Sequence, residues 1–301
     1  MAPQTTRILC IAGPTASGKS SRAVEEALAK NGEVISVDSR QVYRGLDIGT
    51  EKITREEMRG IPHHLIDIRN PDERYSAGDF VADTTRLIEE ISARGKLPIL
   101  VGGTHFYFDA LLNGLGAQVD INSTLRDKLE LLATDELYAR VGSLDARRAS
   151  ELDPKNRRRL IRALEIIATL GTVPPRFGKV RPSQDATTLG RSDLPNVEWI
   201  VIDPPREELR ERIDARLQNA LDRGLIDEVR HIREQVGDAR LTEFGLEYKI
   251  IGEFLRNENL GVELPLGSST PKFLLPILSA KLWQYARRQK AWLRKLGHPM
   301  S

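Results

Sequence analysis

Short apolar runs alternate with longer amphipathic stretches in the first third of the chain, which is the pattern of an α/β protein. The runs predict buried strands at residues 8–12, 33–37 and 96–101. The stretches between them predict helices at 21–30 and 77–94. Because strands separated by helices pair in parallel, we predict a mostly parallel sheet.

The pattern changes between about residues 114 and 195, where no buried β-run occurs. Helices are predicted there at 124–132, 135–141, 146–152 and 157–170. The β pattern resumes at 197–202, followed by charged helices over 206–235 that break near Gly224 and by a long helix over 276–296. We therefore predict an α/β core from residues 1–113 and 196–301, and a helical insertion domain from 114–195.

The first strand leads into a phosphate-binding motif. Residues 13–20 read Gly-Pro-Thr-Ala-Ser-Gly-Lys-Ser and fit G-x-x-x-x-G-K-[ST] at every position. The glycines allow a tight loop whose N–H groups face phosphate oxygens, Lys19 adds a mobile charge and Ser20 can ligate Mg²⁺. The predicted phosphate ligands are Gly13, Pro14, Thr15, Ala16, Ser17, Gly18, Lys19 and Ser20. The motif predicts a polyphosphate site without identifying the polyphosphate.

Two other predicted strands end in residues that could bind a ligand or take part in catalysis. Asp38 ends the second strand, and Gly102-Gly103-Thr104 ends the third. Ligands of open α/β sheets bind beyond the carboxyl ends of the strands, so both ends should face the phosphate loop. Asp38 is either a proton acceptor or an N-cap or Mg²⁺-water ligand; the sequence leaves these readings open.

Basic residues gather in two predicted helices. Arg158, Arg159 and Arg162 lie on or near one face of the first, which suits phosphate contacts, unless they form a solvated face paired with Glu165. The C-terminal helix carries Lys281, Arg287, Arg288, Lys290, Arg294 and Lys295, with Trp283, Tyr285 and Trp292 between them. Cations and aromatic rings together fit nucleic-acid contact, with helix packing as the alternative.

Composition narrows the class of protein. The chain has 301 residues and a net charge of +2, so nucleic acid would bind to local patches rather than to the whole surface. No apolar run approaches the ~20 residues that span a bilayer. The single Cys10 excludes disulfides within the chain and Cys-based zinc sites. We expect a cytoplasmic protein with no membrane contact.

The motifs together resemble the tRNA dimethylallyltransferases, also called isopentenyl-tRNA transferases. The resemblance extends over nearly the whole chain, in order. It is carried by residues 13–20, by Val-Asp-Ser-Arg-Gln-Val-Tyr-Arg-Gly-Leu-Asp-Ile-Gly-Thr at 37–50, and by the motifs at 62–67, 75–80, 100–104, 159–165, 224–229 and 285–289.

The resemblance implies a P-loop NTPase-like core and transfer of a dimethylallyl group from its diphosphate to N6 of adenosine-37 in tRNA. Asp38, Thr104 and Lys19 are the catalytic candidates, and Arg212 or Arg216 completes the diphosphate cradle. The predicted tRNA contacts are Asp38, Ser39, Arg40, Gln41, Thr104, Arg126, Arg158, Arg159, Arg162, Tyr248, Lys249, Arg287, Arg288 and Gln289. The expected partners are Mg²⁺ on Ser20, dimethylallyl diphosphate and the tRNA anticodon loop, and the protein is expected to be a monomer.

Two other functions remain open at this point. A P-loop nucleotide or small-molecule kinase would use the Arg-rich insertion as a lid and Asp38 as base for a hydroxyl. A non-catalytic RNA-binding protein would retain the loop without turnover. The kinase predicts ATP consumption without tRNA, and the binding protein predicts no reaction.

Overall fold

The structure is a computed structural model of the chain, and it describes residues 7–115, 119, 122–174, 196–259 and 274–295. The chain divides into two compact units, one formed by residues 1–113 and 187–301 and the other by residues 114–186. The predicted end of the insertion at residue 195 lies outside the described residues.

Five strands form one parallel sheet in the first unit, in the order β3-β2-β4-β1-β5. The strands are β1 (Arg7–Ala12), β2 (Gly32–Val37), β3 (His63–His64), β4 (Leu97–Gly102) and β5 (Asn196–Val201). β1 lies between β4 and β5, where Ile11 pairs with Val101 on one side and with Ile200 on the other. The sheet confirms the predicted α/β class; the two-residue strand β3 was not among the predicted strands.

The described helices follow the strands in both units. In chain order they are α1 (Lys19–Lys30), α2 (Ala77–Ala93), α3 (His105–Asn113), α4 (Ser123–Glu130), α5 (Thr134–Leu144), α6 (Ala146–Glu151), α7 (Arg157–Leu170), α8 (Arg206–Asp222), α9 (Leu225–Leu241), α10 (Leu246–Asn259) and α11 (Leu274–Lys295). A 3-10 turn, Thr242–Phe244, precedes α10. None of the helices in the described ranges is long and apolar enough to cross a membrane.

Local signals account for most of the helix boundaries. α2 begins with a capping box, in which Ser76 Oγ accepts from Asp79 N–H and the Asp79 carboxylate accepts from Ser76 N–H. The predicted break between α8 and α9 falls at Gly224, whose φ is 96°. The sequence failed to predict α10, which contains Gly252; a Cβ there would lie 2.5 Å from Leu241 Cδ2. This glycine lowers helix propensity but allows α10 to approach α9 closely.

The second unit is helical, and α4 to α7 end within three residues of the predicted positions. Its core is formed by apolar residues that recur at helical spacing in α5 and α7, among them Leu137, Val141, Leu160 and Leu164. Burial of this stripe, rather than pairing of strands, holds the unit together.

A buried carboxylate lies near the amino end of β2, at the opposite end of that strand from Asp38. The Glu33 side chain is 4% exposed and accepts hydrogen bonds from Lys96 at 2.9 Å and from Arg94 at 2.7 Å, with His64 Nε2 at 2.7 Å. Burial raises the pKa of Glu33, but the hydrogen bonds from Lys96, His64 and Arg94 outweigh it and lower this pKa to about 2. The ionised carboxylate therefore stabilises the fold.

We predict that Glu33→Gln lowers the free energy of unfolding by about 3 kcal/mol at pH 7. Because the folded pKa is below the usual 4.5, the stabilisation is present above pH 4.5 and is lost as the pH falls towards 2. Urea unfolding at a series of pH values measures this. Glu90→Gln is the control, since that side chain is 45% exposed. A difference between wild type and Glu33→Gln that did not change with pH would contradict the assignment.

Candidate active site

The loop between β1 and α1 has the geometry of an anion-binding loop. Ala16 and Gly18 have left-handed conformations, with φ of 60° and 84°. Such residues turn neighbouring N–H groups to one side. α1 begins at Lys19, Gly18 provides no side-chain cap and no acidic residue lies in the first turn. The N–H groups at the start of the helix are therefore available to an anion.

Gly13 and Ser17 close the other side of this loop. A Cβ on Gly13 would lie 2.5 Å from Ser17 Oγ and 2.8 Å from the carbonyl oxygen of Ile202. Ser17 is 3% exposed, and its Oγ has no hydrogen-bond partner among the described residues. A buried hydroxyl without a partner is unfavourable, so a phosphate oxygen would satisfy a group that the protein leaves unsatisfied.

Lys19 is partly buried at the start of α1, and its Nζ donates to the carbonyl of Pro14 at 3.2 Å. Burial, with a smaller contribution from Arg216, lowers the pKa of Lys19 to about 8, although the carboxylates of Asp38 and Glu51 act in the opposite direction. A bound polyphosphate would supply the negative charge that favours the protonated lysine.

Arg216 of α8 reaches the phosphate loop. Its Nη1 donates to Thr15 Oγ1, and its Nη2 donates to the carbonyl of Gly49 at 3.2 Å. Two carboxylates flank the guanidinium, Glu51 at 2.7 Å and Glu247 at 3.4 Å. The side chain is 10% exposed, so this charge is fixed beside the loop.

Arg212, one helical turn earlier, lies differently. Its Nη1 donates to the carbonyl of Ser17 at 3.3 Å, and its Nη2 pairs with Glu208 on its own helix. The side chain is 45% exposed and is not part of the cavity lining. Of the two arginines that the sequence left open, the geometry favours Arg216 as the phosphate ligand.

Asp38 follows β2 and lines the same cavity as the phosphate loop. Its Oδ1 accepts from the N–H of Arg40 at 2.8 Å and of Gln41 at 3.2 Å, which fixes the carboxylate. Thr104 lies beside this turn, and its Oγ1 accepts from Ser39 N–H at 3.2 Å. Thr104 therefore supports the turn that carries Asp38, and its hydroxyl can still donate a hydrogen bond.

Glu228, in the first turn of α9, fixes the loop after β2. Its Oε2 accepts from the N–H of Asp47 at 2.9 Å and of Ile48 at 2.7 Å, and its Oε1 accepts from Gly49 N–H at 2.9 Å and from Tyr248 Oη at 2.6 Å. A Cβ on Gly49 would lie 2.8 Å from the Tyr248 ring. These contacts hold the loop with the Gly49 carbonyl against Arg216.

These groups surround a cavity of about 740 Å³. Residues 15–20, Asp38 and Arg216 give it a charged and polar region. Its apolar lining comes from Val24, Ile53, Ile66, Val101, Phe244, Leu246, Leu282 and the ring of Tyr285. Burial and the Asp38 carboxylate raise the pKa of Tyr285, which keeps it a neutral phenol beside Asp38. One cavity can therefore hold an anion and an apolar group together.

The predicted tRNA contacts near the cavity divide into two groups. Arg40, Gln41 and Lys249 line it, and Lys249 is exposed. The structure does not support a tRNA contact for Tyr248, which is 1% exposed and bonded to Glu228. It is a packing residue behind the loop at 47–49.

The predicted tRNA contacts on α11 also differ in their exposure. Arg287 and Arg288 are exposed. Gln289 is 2% exposed and bonds to Thr15 and Gly103, so the structure does not support its predicted contact with tRNA. The outer face of the helix carries the two exposed arginines, and its inner face contributes Leu282, Tyr285 and Gln289 to the cavity lining.

In the second unit, Glu165 is 1% exposed and binds two of the predicted arginines. It accepts from Arg126 at 2.8 and 2.9 Å and from Arg162 at 3.2 Å. These two therefore stabilise the unit itself by neutralising a buried carboxylate. Arg158 and Arg159 are exposed on α7 and remain candidates for phosphate contacts.

The sequence did not reveal several residues that hold the site together. Glu228, Glu51 and Gln289 were not predicted to hold the site together. Lys52 was not predicted to do so either, although it donates to Asp47 at 2.6 Å and to Asp67 at 2.5 Å. Glu228 and Asp47 are 181 positions apart. Neither periodicity nor local motif signals such a contact; the only hint was that Glu228 falls within the 224–229 motif.

A parallel sheet with a phosphate loop after an internal strand defines the class, which is the P-loop NTPase-like α/β fold. The family model described as IPP transferase matches residues 41–296. The tRNA dimethylallyltransferase of Thermomicrobium roseum is 40% identical over 297 residues, covering 96% of this chain and 84% of the relative. That of Pediococcus pentosaceus is 38% identical over 293 residues, covering 96% and 88%. The chain belongs to the IPP transferase family.

Solved structures agree with the family. The full-length tRNA isopentenylpyrophosphate transferase of Bacillus halodurans has a TM-score of 0.66 at 34% identity, covering 96% of this chain and 87% of that one. A eukaryotic dimethylallyltransferase acting on tRNA has a TM-score of 0.77 at 29% identity, covering 96% and 70%. These matches confirm the fold class and the family resemblance of the sequence.

We predict that the affinity for a diphosphate ester is nearly independent of pH up to about 7, is about halved at pH 8 and falls about tenfold by pH 9, because the pKa of Lys19 is about 8 and only the ammonium attracts phosphate. Phosphate esters complete their ionisation at lower pH, with a second pKa of about 6. Equilibrium binding across this range measures the effect. Lys19→Arg, which stays charged, is the control and should have a flat profile. A flat profile for the wild type would contradict the assignment.

Proposed function

We propose that this protein transfers the dimethylallyl group of dimethylallyl diphosphate to N6 of adenosine-37, beside the anticodon of tRNA, and releases diphosphate. The observation that carries the proposal is the shared cavity, in which the phosphate loop after β1 and the Asp38 carboxylate after β2 lie at the same edge of the sheet beside an apolar lining. Membership of the IPP transferase family supports this choice.

The phosphate loop would hold the leaving group. As the C–O bond to the allylic carbon breaks, negative charge grows on the diphosphate. The N–H groups at the start of α1, Lys19 and Arg216 stabilise that charge. Ser20 lines the cavity in the first turn of α1 and offers its hydroxyl to Mg²⁺ together with diphosphate oxygens, a donor set that this ion favours. When bound, Mg²⁺ would supply further charge neutralisation.

Asp38 would accept the proton. The amine of adenine is a weak nucleophile because its lone pair is delocalised, so removal of its proton must accompany formation of the C–N bond. The backbone N–H groups of Arg40 and Gln41 both donate to Oδ1, and the other carboxylate oxygen, Oδ2, would take the proton. The neutral, half-buried ring of Tyr285 adds an apolar wall to the same cavity.

The apolar lining suits the prenyl group and excludes water from a carbon that gains positive character. Adenine must leave its stack in the anticodon loop to enter the cavity, as in other enzymes that act on a base. Arg40 and Lys249 at the cavity, with the exposed arginines at 158, 159, 287 and 288, supply cations for the phosphate backbone.

The kinase alternative has less support. P-loop phosphotransferases hold Mg²⁺ with an additional aspartate. The described end of β4, the strand beside β1, is Gly102-Gly103, and a Cβ on Gly102 would lie 2.1 Å from the Val37 carbonyl. Asp203, two residues after β5 on the other side of β1, is paired with Lys290 at 2.7 Å, and Asp38 follows β2, one strand further away.

We predict that Asp38→Asn lowers the single-turnover rate by ~10²–10⁴-fold, the usual range for a positioned general base. Both substrates should still bind, because an amide oxygen can accept the same backbone hydrogen bonds. Rates are measured across a Mg²⁺ series, with the exposed Asp72→Asn as control. Recovery of the rate at high Mg²⁺, together with weak binding of the diphosphate, would instead place Asp38 in the metal shell.

A further inference from the structure

The side chain of Gln289 connects two segments of the cavity wall. The residue is 2% exposed, although it lies on the basic helix α11. Its Oε1 accepts from Thr15 N–H at 2.9 Å, and its Nε2 donates to the carbonyl of Gly103 at 3.0 Å. One carboxamide therefore spans from the phosphate loop to the turn that follows β4.

The two bonded segments belong to different halves of the proposed reaction. Thr15 is also contacted by Arg216, so it lies on the leaving-group side. Gly103 precedes Thr104, whose Oγ1 holds the N–H of Ser39 beside Asp38, so it lies on the side of the proton acceptor. Gln289 thus links the two sides through a single side chain.

The link has little freedom. A Cβ on Gly103 would lie 2.6 Å from Gln289 Nε2, so the carboxamide packs directly on the backbone. The preceding Gly102 packs on the Val37 carbonyl in the same way. Glycine is therefore required at both 102 and 103, because a Cβ at either position would collide with Val37 or with Gln289. These close contacts fix the distance between the phosphate loop and the turn after β4.

The fold does not need Gln289 to hold α11 in place. The next residue, Lys290, pairs with Asp203 at 2.7 Å and donates to the carbonyl of Pro204 at 3.1 Å. Trp292 stacks on His105 with ring centroids 4.5 Å apart, and Leu293 is 1% exposed. The polar bonds of Gln289 are therefore additional to the packing that anchors the helix.

We propose that Gln289 is a positioning residue that holds the diphosphate loop and the Asp38 turn at the separation required for transfer. The inference rests on the proposed function, because it assigns the two halves to the two substrates. Each substrate alone needs only its own half. The transfer needs both halves in register, and a misplacement of about 1 Å can cost about 10²-fold in rate.

The first test uses Gln289→Met, which keeps most of the volume and removes both hydrogen bonds. We expect the separate dissociation constants for dimethylallyl diphosphate and for tRNA to stay within about threefold of wild type, and the single-turnover rate to fall about 10- to 100-fold. Gln284→Met is the matched control, because Gln284 is exposed on the same helix; its binding and rate should not change.

Gln289→Glu gives a readout that a general loss of stability cannot mimic. An ionised carboxylate can accept from Thr15 N–H but repels the Gly103 carbonyl, whereas a protonated carboxyl can accept and donate as the amide does. Burial raises the pKa of a carboxyl. The rate of Gln289→Glu relative to wild type at the same pH should therefore rise as the pH falls from 8 to 6.

Three results would overturn the inference. They are an unchanged rate in Gln289→Met, a loss of substrate affinity that accounts for its whole rate loss, and a Gln289→Glu ratio that does not vary with pH. Wild-type protein that transfers no prenyl group would overturn the proposed function as well. An active wild type with unaltered Gln289 variants would overturn this inference alone.

Discussion

The first turn of α1 has no side-chain cap and no acidic residue, so its N–H groups depend on a ligand for their hydrogen bonds. The rest of the cavity is consistent with that requirement. The buried Ser17 hydroxyl lacks a partner among the described residues, burial depresses the pKa of Lys19, and Arg216 is placed beside Thr15. A bound polyphosphate would accept hydrogen bonds from these N–H and hydroxyl groups and would supply negative charge beside Lys19 and Arg216. The site is therefore built to stabilise negative charge on an oxyanion.

A second constraint is the position of Asp38 relative to the phosphate loop. Parallel strands bring their carboxyl ends to one edge of the sheet, which places Asp38 on β2 near the loop after β1. Hydrogen bonds from distant segments then fix both parts, with Glu228 holding the loop at 47–49 and Gln289 bridging Thr15 and Gly103. An acceptor for a proton and a cradle for a leaving group, in one cavity that also has an apolar lining, favour group transfer over phosphoryl transfer.

The sequence predicted the parts of this arrangement that depend on local signals. The strands before the phosphate loop and before Asp38, the capped helix α2 and the four helices of the second unit follow from periodicity and capping. The residues that close the site do not. Tyr248 and Gln289 were expected to face tRNA because they are polar and lie in motifs, yet both are buried by contacts with segments far away in the chain. Arg126 and Arg162 were predicted to contact nucleic acid. The hydrophobic periodicity of a helix does not reveal that Glu165, which binds both arginines, is buried.

The central claim is that the phosphate loop holds a leaving group and transfers no phosphoryl group. Dimethylallyl diphosphate labelled with ¹⁴C in the prenyl group and ³²P in the diphosphate tests it directly, after incubation with bulk tRNA and digestion to nucleosides. The account predicts ¹⁴C in an N6-modified adenosine and an equal amount of ³²P released as free diphosphate. Incorporation of ³²P into the tRNA, or ATP consumption in the absence of tRNA, would contradict it.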